Sequence, residues 1–325
     1  MKKYMALFLA LLLLLSLPLT ACSSGGGNAV EDDNDGEGNE NQSDNANTND
    51  NNSDSNNDDK NEEEEATPLA PMKVMSYNVQ TGNEEAIGAR APKVIATINS
   101  FSPDVLGTQE VNAYWIAEME AHGFLDTYTM VGEPRDHADS NAASNEYSAI
   151  FFKTATFNLI DSGTYWLSET PYEISRLDSC DYNRIMTYAV LERKSDGYKF
   201  LHVNTHLEWA HDNVDTNLLQ TEIMLSLTDD ILYENGSMPV FFTGDFNADK
   251  YSDGYSTVLG WGFSDTREEA AHSSDAPTWP EGPSYIDFCF VSDGDFLTDT
   301  FSVGTDCEGS DHNPLFIELR PIHKK

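Results

Sequence analysis

Residues able to bind a cation or a phosphate group follow an apolar segment in the second half of the chain. Residues 240–243 are apolar enough for a buried strand, and Asp245 and Asn247 come shortly after them. Because side chains alternate along an extended chain, Asp245 and Asn247 are expected on one side, with Phe246 pointing into the core. A carboxylate beside a neutral amide can hold a hard cation or a phosphate oxygen. The same residues are also ordinary turn formers, so the interpretation depends on the rest of the chain.

Two further candidates stand where apolar segments end. Asn78 lies at the end of the segment 73–79, and Glu110 follows the segment 105–109. A glutamate at the end of a buried strand could supply a carboxylate to a metal ion. It could equally be an acidic residue in the first turn of a following helix, where it would interact with the helix dipole. Asn78 could likewise be a simple turn former.

Three polar residues border apolar segments in the middle of the chain. Glu146 precedes one such segment, and Arg184 opens the next. The Arg184 guanidinium could face a phosphate or form a surface ion pair. His206 ends a third segment, and a lone histidine in such a place is more often a structural group than a catalyst.

The last candidates lie near the C-terminus. Asp287 interrupts the apolar segment 286–291, and a carboxylate buried there needs a cationic or hydrogen-bonding partner. Asp311 and His312 precede the last apolar segment, and a histidine paired with an aspartate is oriented and made more basic. An ordinary surface loop would explain Asp311 and His312 equally well.

Strands and helices predicted from the sequence must position these residues. The predicted strands cover residues 73–79, 105–109, 148–152, 186–191, 200–204, 240–243, 286–291 and 315–319, and the predicted helices cover residues 90–101, 112–121 and 217–233. Many short strands with few helices favour an α+β or layered α/β sandwich. Trp209 and Trp279 could line a substrate cleft or belong to the core.

The first 22 residues predict an export signal. Lys2 and Lys3 precede an apolar run at 4–19, which is shorter than the ~20 apolar residues of a membrane-spanning helix. The run ends in Leu-Thr-Ala-Cys, which resembles a bacterial lipoprotein signal, in which cleavage exposes the cysteine for acylation. We therefore expect an exported protein that is lipid-anchored through Cys22 on the extracytoplasmic face of the cell membrane.

Residues 23–71 predict a disordered acidic tether, and residues 72–325 predict one domain. The tether has almost no apolar side chains, so burial cannot offset the entropy cost of ordering it. It contains 15 of the 56 acidic residues and one basic residue, Lys60. With the two lysines of the signal also set aside, the domain keeps 41 acidic and 15 basic residues, a net charge of −26 out of −38. We expect this domain to be monomeric.

Three cysteines lie in the predicted domain. Export permits a disulfide, and Cys180 with Cys307 is the pair to test. Cys289 lies in an apolar segment, and we expect it to be a small buried apolar residue.

In chain order, these segments resemble the endonuclease/exonuclease/phosphatase family of metal-dependent phosphoesterases. The resemblance covers residues 72–320 and rests on Ser76-Tyr77-Asn78, Gln109-Glu110, Glu146, Arg184, Asn204-Thr205-His206-Leu207, Gly244-Asp245-Phe246-Asn247, Ile286-Asp287 and Ser310-Asp311-His312. Each motif is short, and the specificity comes from their common order and spacing. Residues 164–171 also resemble a segment of a bacterial exported branch of the family.

The resemblance implies a four-layer α/β sandwich in which two mixed β-sheets pack face to face between helices, with the active site at one edge. It implies that Glu110, assisted by Asn78 and Asp311, holds Mg²⁺ or Mn²⁺. The catalytic residues implied by the resemblance are His312, His206, Asp245, Asn247, Asp287, Glu146 and Arg184. Among them, Asp245 and Asn247 would orient the attacking water and the phosphate, Asp287 would hold His312, and Glu146 would steady His206.

The expected function is hydrolysis of phosphate mono- or diesters in small substrates such as sugar phosphates, nucleotides or lipid head groups. A net charge of −26 without a basic run disfavours tight binding of long nucleic acids. A secreted nuclease acting on DNA or RNA is the alternative, and an inactive surface-binding protein is a third hypothesis. The third would require the loss of an essential residue, whereas all the expected ones are present. The sequence leaves open the number of metal ions and whether Asp245 or His312 accepts the proton of the water.

Overall fold

The computed structural model describes residues 67–209, 214–274, 276–282 and 285–323. The strands of this part are β1 (Thr67–Pro68), β2 (Met72–Asn78), β3 (Val105–Gln109), β4 (Tyr128–Val131), β5 (Ile150–Lys153), β6 (Phe157–Trp166), β7 (Ile185–Arg193), β8 (Lys199–His206), β9 (Val240–Asp245), β10 (Phe263–Asp265), β11 (Asp287–Ser292), β12 (Phe296–Val303) and β13 (Leu315–His323). The helices are α1 (Glu84–Phe101), α2 (Ala113–Ala121), α3 (Val214–Asn235), α4 (Asp253–Gly260) and α5 (Thr266–Glu269), with a 3₁₀ turn at Phe124–Asp126.

The strands form two mixed sheets. The first has the order β1-β13-β2-β3-β5-β4, with β12 also paired to β13, and the second has the order β10-β11-β9-β8-β7-β6. Among the described strands, each sheet contains one parallel pair, β2 with β3 and β8 with β9. Parallel neighbours end at the same edge of a sheet. Within each sheet, the carboxyl ends of the parallel pair therefore bring together the residues that follow them.

Successive side chains of β2 point to opposite faces of the sheet, and this alternation shows how the layers form. Val74 belongs to the larger core, which contains residues of both sheets, whereas Met75 belongs to a smaller core formed with Ile87 of α1 and Trp115 of α2. Helix α3 adds Met224 to the larger core. Each fully buried side chain of this size stabilises the fold by roughly 1.5–3 kcal/mol. The expected sandwich of two mixed sheets flanked by helices is confirmed.

Polar side chains join the two sheets inside the sandwich. The Asn204 Oδ1 atom accepts hydrogen bonds from Gln109 Nε2 at 2.7 Å and from Thr243 Oγ1 at 3.0 Å. The Thr243 hydroxyl in turn lies 2.7 Å from His202 Nε2. Gly107 leaves the space for this network, because a Cβ atom there would lie 2.0 Å from Thr243 Oγ1 and 2.6 Å from Asn204 Oδ1. The network fixes the register of the sheets directly beneath the carboxyl ends of β3, β8 and β9.

The predicted elements exist, but their bounds differ. Helix α1 begins at Glu84 rather than at residue 90, because Asn83 caps it by accepting a hydrogen bond from the Ala86 amide at 2.9 Å. Asn112 is likewise the cap of α2. The short or partly exposed strands β4, β6, β10 and β12 were not predicted, because they lack a continuous apolar run.

The disulfide that the sequence permitted between Cys180 and Cys307 is not formed. Both thiols are free: Cys180 is buried and accepts a hydrogen bond from Gln220 Nε2 of α3, whereas the half-buried Cys307 lies on the loop before β13. Cys289 is fully buried on β11, as expected, and burial raises the pKa of its thiol.

The N-terminal predictions lie mostly outside the described residues. Cys22, the signal and residues 23–66 belong to that part, so the lipid anchor and the tether stay predictions. At the other end of the predicted tether, Thr67 and Pro68 pair with β13, so the folded part begins before the expected boundary at residue 72. In the described ranges, no helix combines the length and the apolar character required to cross a membrane.

Candidate active site

Asn78 links the two sheets at their common edge. It is fully buried at the end of β2, and its Nδ2 atom donates to Glu110 Oε1 at 2.9 Å and to Asp245 Oδ2 at 3.0 Å. Its Oδ1 atom accepts a hydrogen bond from the Gln80 amide at 3.0 Å. The amide nitrogen thus faces two carboxylates. The Oδ1 atom of Asn78 is already engaged by the backbone. The role of Asn78 as a metal ligand therefore stays a prediction.

A left-handed backbone conformation turns Glu110 towards Asn78. Glu110 has a φ of 64°, and its Oε2 atom accepts a hydrogen bond from the Thr81 amide at 2.7 Å. Such a conformation is costly for a residue with a side chain and is typical of functional sites. Glu110 precedes the cap of α2 and lies outside the helix, so the alternative of a first-turn acid does not apply.

Arg90, which the sequence analysis did not single out, fixes the loops around this carboxylate. From α1 its guanidinium donates to the carbonyls of Val79 at 2.9 Å, Gly309 at 2.8 Å and Gln80 at 2.7 Å. It therefore ties the end of β2 to the loop that carries Asp311 and His312. A cation in the first half of a predicted helix gives no sign of such a long-range role.

Asp245 and Asn247 lie together, but not through strand alternation. Strand β9 ends at Asp245, and Asn247 has a φ of 49°, so it lies in a turn. The Asn247 amide donates to Asp245 Oδ1 at 2.9 Å, and its side-chain Nδ2 donates to the Leu207 carbonyl at 2.9 Å. The extended geometry that we expected for this pair is wrong, whereas the proximity is confirmed.

Two histidines, one at the end of strand β8 and one in the loop before β13, face the same oxygen of Asp245. His206 Nε2 lies 3.5 Å and His312 Nε2 lies 3.7 Å from Asp245 Oδ2. His206 is the register partner of Asp245 in the parallel pair of β8 and β9. Burial lowers the pKa of His206, and the nearby charges of Arg184 and Arg135 lower it further, which favours the neutral ring.

His312 has the opposite protonation preference. Its Nδ1 atom lies 2.9 Å from Asp287 Oδ2, as the resemblance implied. Burial alone would lower the pKa of His312, but the charge and hydrogen bond of Asp287, with the charges of Asp245 and Asp311, raise it to about 10. Burial and the charge of Asp287 raise the pKa of Asp245, which the neighbouring His312 charge opposes. The site thus combines a neutral and a protonated imidazole around one carboxylate.

Glu146 and Arg184 have partners that the sequence did not reveal. The expected contact of Glu146 with His206 is not made in the described chain; instead, Glu146 Oε2 accepts a hydrogen bond from Arg135 Nη1 at 2.8 Å. A buried carboxylate requires a cationic partner, and the guanidinium of Arg135 provides it. Arg184 is buried rather than on the surface, and its Nη2 lies 3.3 Å from Glu208 Oε1. Arg135 and Glu208 are thus site residues that the sequence analysis missed.

The loop before β13 brings Asp311 to the same edge. Ser310 Oγ donates to the Asn78 carbonyl at 2.7 Å and accepts from the His312 amide at 3.1 Å. Burial raises the pKa of the Asp311 carboxyl, the charge of His312 opposes this, and the charge of Glu110 raises it further. Glu110 and Asp311 are therefore near enough for their charges to repel each other.

Two neighbouring groups among the described residues could hold a cation. Asp245, Asp287 and His312 place one donor atom each within 4.8 Å of one another. Asp287 and His312 are already bonded to each other, which leaves one available carboxylate in that group. The predicted ligands Glu110 and Asp311 both supply carboxylate oxygens, which are the donors that hard divalent cations prefer. Their mutual repulsion also favours a bound cation, so the residues present fit such an ion.

Aromatic side chains border the histidine side of the site. The rings of Trp209 and Trp279 meet edge to face with centroids 5.2 Å apart, and Trp279 stacks on His312 at 6.4 Å. Both tryptophans are partly exposed. The sequence allowed these tryptophans either to line a substrate cleft or to belong to the core. Their partial exposure beside His312 supports the first role.

Comparisons with known proteins agree with this architecture. A sequence profile of the Endonuclease/Exonuclease/phosphatase family matches residues 75–312. A solved protein of this family from Bacteroides thetaiotaomicron has 25% identity and a TM-score of 0.69, over 80% of this chain and 97% of that one. A mannosyl-6-phosphatase from the same organism has 26% identity and a TM-score of 0.68, over 76% of this chain and 99% of that one.

The chain is also similar to a subunit that is named as an exoribonuclease. The CCR4-Not complex 3'-5'-exoribonuclease subunit Ccr4 of Aspergillus oryzae is 27% identical over 149 residues, which are 42% of this chain. The chain spans only 20% of the length of that relative. Enzymes of the family generally depend on a divalent metal ion, in agreement with the carboxylates gathered here. The chain belongs to the endonuclease/exonuclease/phosphatase family and is a hydrolase of phosphoester bonds.

Proposed function

We propose that the chain is a divalent-metal-dependent phosphoesterase that hydrolyses small phosphorylated substrates by attack of water. The observation that carries this proposal is the position of Asp245. One of its oxygens faces both His206 and His312, and the same oxygen is linked to Glu110 through Asn78. A base for water, two imidazoles for phosphate oxygens and a carboxylate for a cation thus meet at one point.

The protonation preferences of the site divide the catalytic roles. His312 is held protonated by Asp287, so it serves as a donor to a phosphate oxygen and has no lone pair to accept a proton. Asp245 is then the group that accepts the proton of the attacking water. Asn247, fixed by its bond to the Leu207 carbonyl, orients that water beside Asp245. Proton transfer of this kind contributes typically 10²–10⁴-fold in rate.

We further propose that Glu110 and Asp311, assisted by Asn78, hold Mg²⁺ or Mn²⁺. When bound, such an ion supplies charge to stabilise the transferring phosphoryl group and lowers the pKa of a nearby water. The buried guanidinium of Arg184 adds positive charge on the side of His206. Together these cations place positive charge locally at the site, within a domain whose net charge is −26.

The substrate class follows from charge and from similarity. A strongly negative surface repels a polyanion at long range, whereas a small phosphate ester must satisfy only the local site. The mannosyl-6-phosphatase of Bacteroides thetaiotaomicron, which aligns with this chain over 99% of its own length, acts on a small phosphorylated molecule by its name. We therefore favour sugar phosphates and other small phosphate esters.

A nuclease is the second candidate, supported by the similarity to the exoribonuclease Ccr4. The deciding assay compares kcat/KM for small phosphomonoesters and phosphodiesters with cleavage of plasmid DNA and single-stranded RNA, at low and physiological salt, with Mg²⁺, Mn²⁺ or Ca²⁺. We expect turnover of small esters to exceed turnover of nucleic acids at both salt concentrations. Asp245→Asn protein is the matched control for contaminating nucleases. Efficient cleavage of nucleic acid with no turnover of small esters would replace this proposal with the nuclease.

We also propose that the enzyme works outside the cytoplasm, tethered to the membrane through acylated Cys22, and as a monomer. The basic residues, apolar run and terminal cysteine of the first 22 residues support the export signal. Residues 23–66 would then give the catalytic domain reach from the membrane surface.

A further inference from the structure

A small cleft of about 10 Å³, which is room for about one water-sized group, opens beside His206. Five side chains decide its chemistry: Arg135, Glu146, Asn183, Arg184 and His206. His206 also faces Asp245, so the cleft adjoins the position proposed for the reacting phosphate. The catalytic roles proposed for these residues do not place any part of the substrate in this cleft.

The Arg184 guanidinium has fewer hydrogen-bond acceptors than donors. Only 6% of the residue is exposed, yet within the described ranges its side-chain hydrogen bond is a single one, from Nη2 to Glu208 Oε1 at 3.3 Å. Its Nε atom is buried without a partner there, although a guanidinium carries five N–H donors. A buried charge left this incompletely bonded is costly, which points to an acceptor supplied by a ligand.

The same cleft also contains an acceptor. Glu146 is 8% exposed, and its bond to Arg135 engages Oε2. Among the described contacts, Oε1 takes no hydrogen bond, so this oxygen can accept one from a ligand. A second phosphate in the cleft would be repelled by this carboxylate. A hydroxyl group suits the cleft better, because it accepts from the guanidinium and donates to the carboxylate at once.

We propose that this cleft is a hydroxyl-binding subsite for the alcohol part of the substrate. The inference rests on the proposed function and narrows it to phosphate esters of polyhydroxylated alcohols, which include sugar phosphates and ribose-containing mononucleotides. The volume admits a hydroxyl and excludes an aromatic ring, so a nucleobase would have to lie elsewhere. Arg184 and Glu146 are then specificity-determining residues, with Arg135 as the residue that positions Glu146.

Glycerol 1-phosphate and n-propyl phosphate form a matched pair, because they share a carbon skeleton and differ only in hydroxyl groups. We expect the wild-type enzyme to favour glycerol 1-phosphate by at least about tenfold in kcat/KM, as expected for a hydroxyl bonded on both sides. In Arg184→Lys and Glu146→Gln enzymes this ratio should fall towards one, whatever the change in absolute rate. Thermal melting curves identify variants that fail to fold. The ratio of kcat/KM for the two substrates in the wild-type enzyme can be measured even if both variants fail to fold.

Binding supplies a readout that does not depend on turnover. In the presence of EDTA, calorimetric titration should give tighter binding of glycerol 1-phosphate than of n-propyl phosphate in the wild type and equal affinities in the variants. A wild-type ratio near one, or a ratio retained in both variants, would overturn the subsite. Loss of hydrolysis with the affinity ratio intact would instead count against the proposed function alone. Hexose 6-phosphate and adenosine monophosphate, tested in parallel, distinguish a sugar from a nucleotide as the source of the hydroxyl.

Discussion

The Nδ1 atom of His312 lies 2.9 Å from the Oδ2 atom of Asp287, and both residues are buried. This bond joins the last residue of a loop motif to the first residue of β11, which are 25 positions apart. It is also the strongest specific reason for the raised pKa of His312. The consequence is a histidine that keeps its proton at neutral pH.

Asp287→Asn should therefore move the alkaline limb of the pH–rate profile to lower pH. The pKa of His312 is raised to about 10 in the folded protein, so the protonated ring persists until the pH passes that value. Without the carboxylate the pKa falls, by roughly one unit or more, and the active form is lost earlier as pH rises. Profiles of kcat/KM between pH 6 and 11 for both enzymes test this. An unchanged alkaline limb would remove His312 from the role of donor.

His312→Ala and His206→Ala should each lower kcat by roughly 10²-fold or more. Both imidazoles face Asp245 Oδ2, so either change removes a group that contacts the proposed reacting phosphate. Turnover of a small phosphate ester is the measurement, with circular dichroism to verify folding. His122→Ala is the matched control, since that histidine lies at the exposed end of α2. Near-normal turnover of either site variant would contradict its assigned role.

Removal of divalent metal should abolish activity, and the effect should depend on Glu110. Chelator-treated protein is expected to be inactive and to recover with Mg²⁺ or Mn²⁺. Because Glu110 and Asp311 repel each other in the absence of a cation, Mg²⁺ should also raise the melting temperature of the wild type. Glu110→Gln should weaken that rise and require more Mg²⁺ for half-maximal activity. Full activity of stripped protein in excess chelator is incompatible with the proposal.

Gly107→Ala should be strongly destabilising, by about 3 kcal/mol or more, because overpacking here also disrupts the buried polar network. The new Cβ atom would overlap Thr243 Oγ1, and neither sheet can retreat without breaking hydrogen bonds between the sheets. Gly260→Ala, at the end of α4, is the control: its Cβ meets nothing within 4 Å. Urea unfolding of both variants measures the difference, and equal stabilities would show that the network does not fix the register.

Cys22→Ala should release the protein from membranes or block its processing, because acylation of that thiol is the proposed anchor. Fractionation of cells that express the full chain, with detection of the processed form, checks this. A processed variant that stays in the membrane fraction to the same extent as wild type would exclude the lipid anchor.

Local sequence was enough to determine most strands and the family. Apolar runs such as 105–109 and 240–243 became buried strands because burial of such a run dominates local preference. Asn78 and Glu110 meet at one edge because β2 and β3 are parallel neighbours, and packing of the second sheet brings Asp245 to them. The order of the short motifs therefore indicated both the family and the edge of the sandwich at which the site lies.

Tertiary structure decided the partners and the protonation states. Arg135 pairs with Glu146, and Arg90 binds four carbonyls, through tertiary contacts that no local pattern encodes. The φ values of Glu110 and Asn247 depend on the turns around them, so strand alternation could not place these side chains. A pKa follows from burial and from the charges that packing brings near. For that reason, the opposite shifts in the pKa values of His206 and His312 arise only in the folded chain.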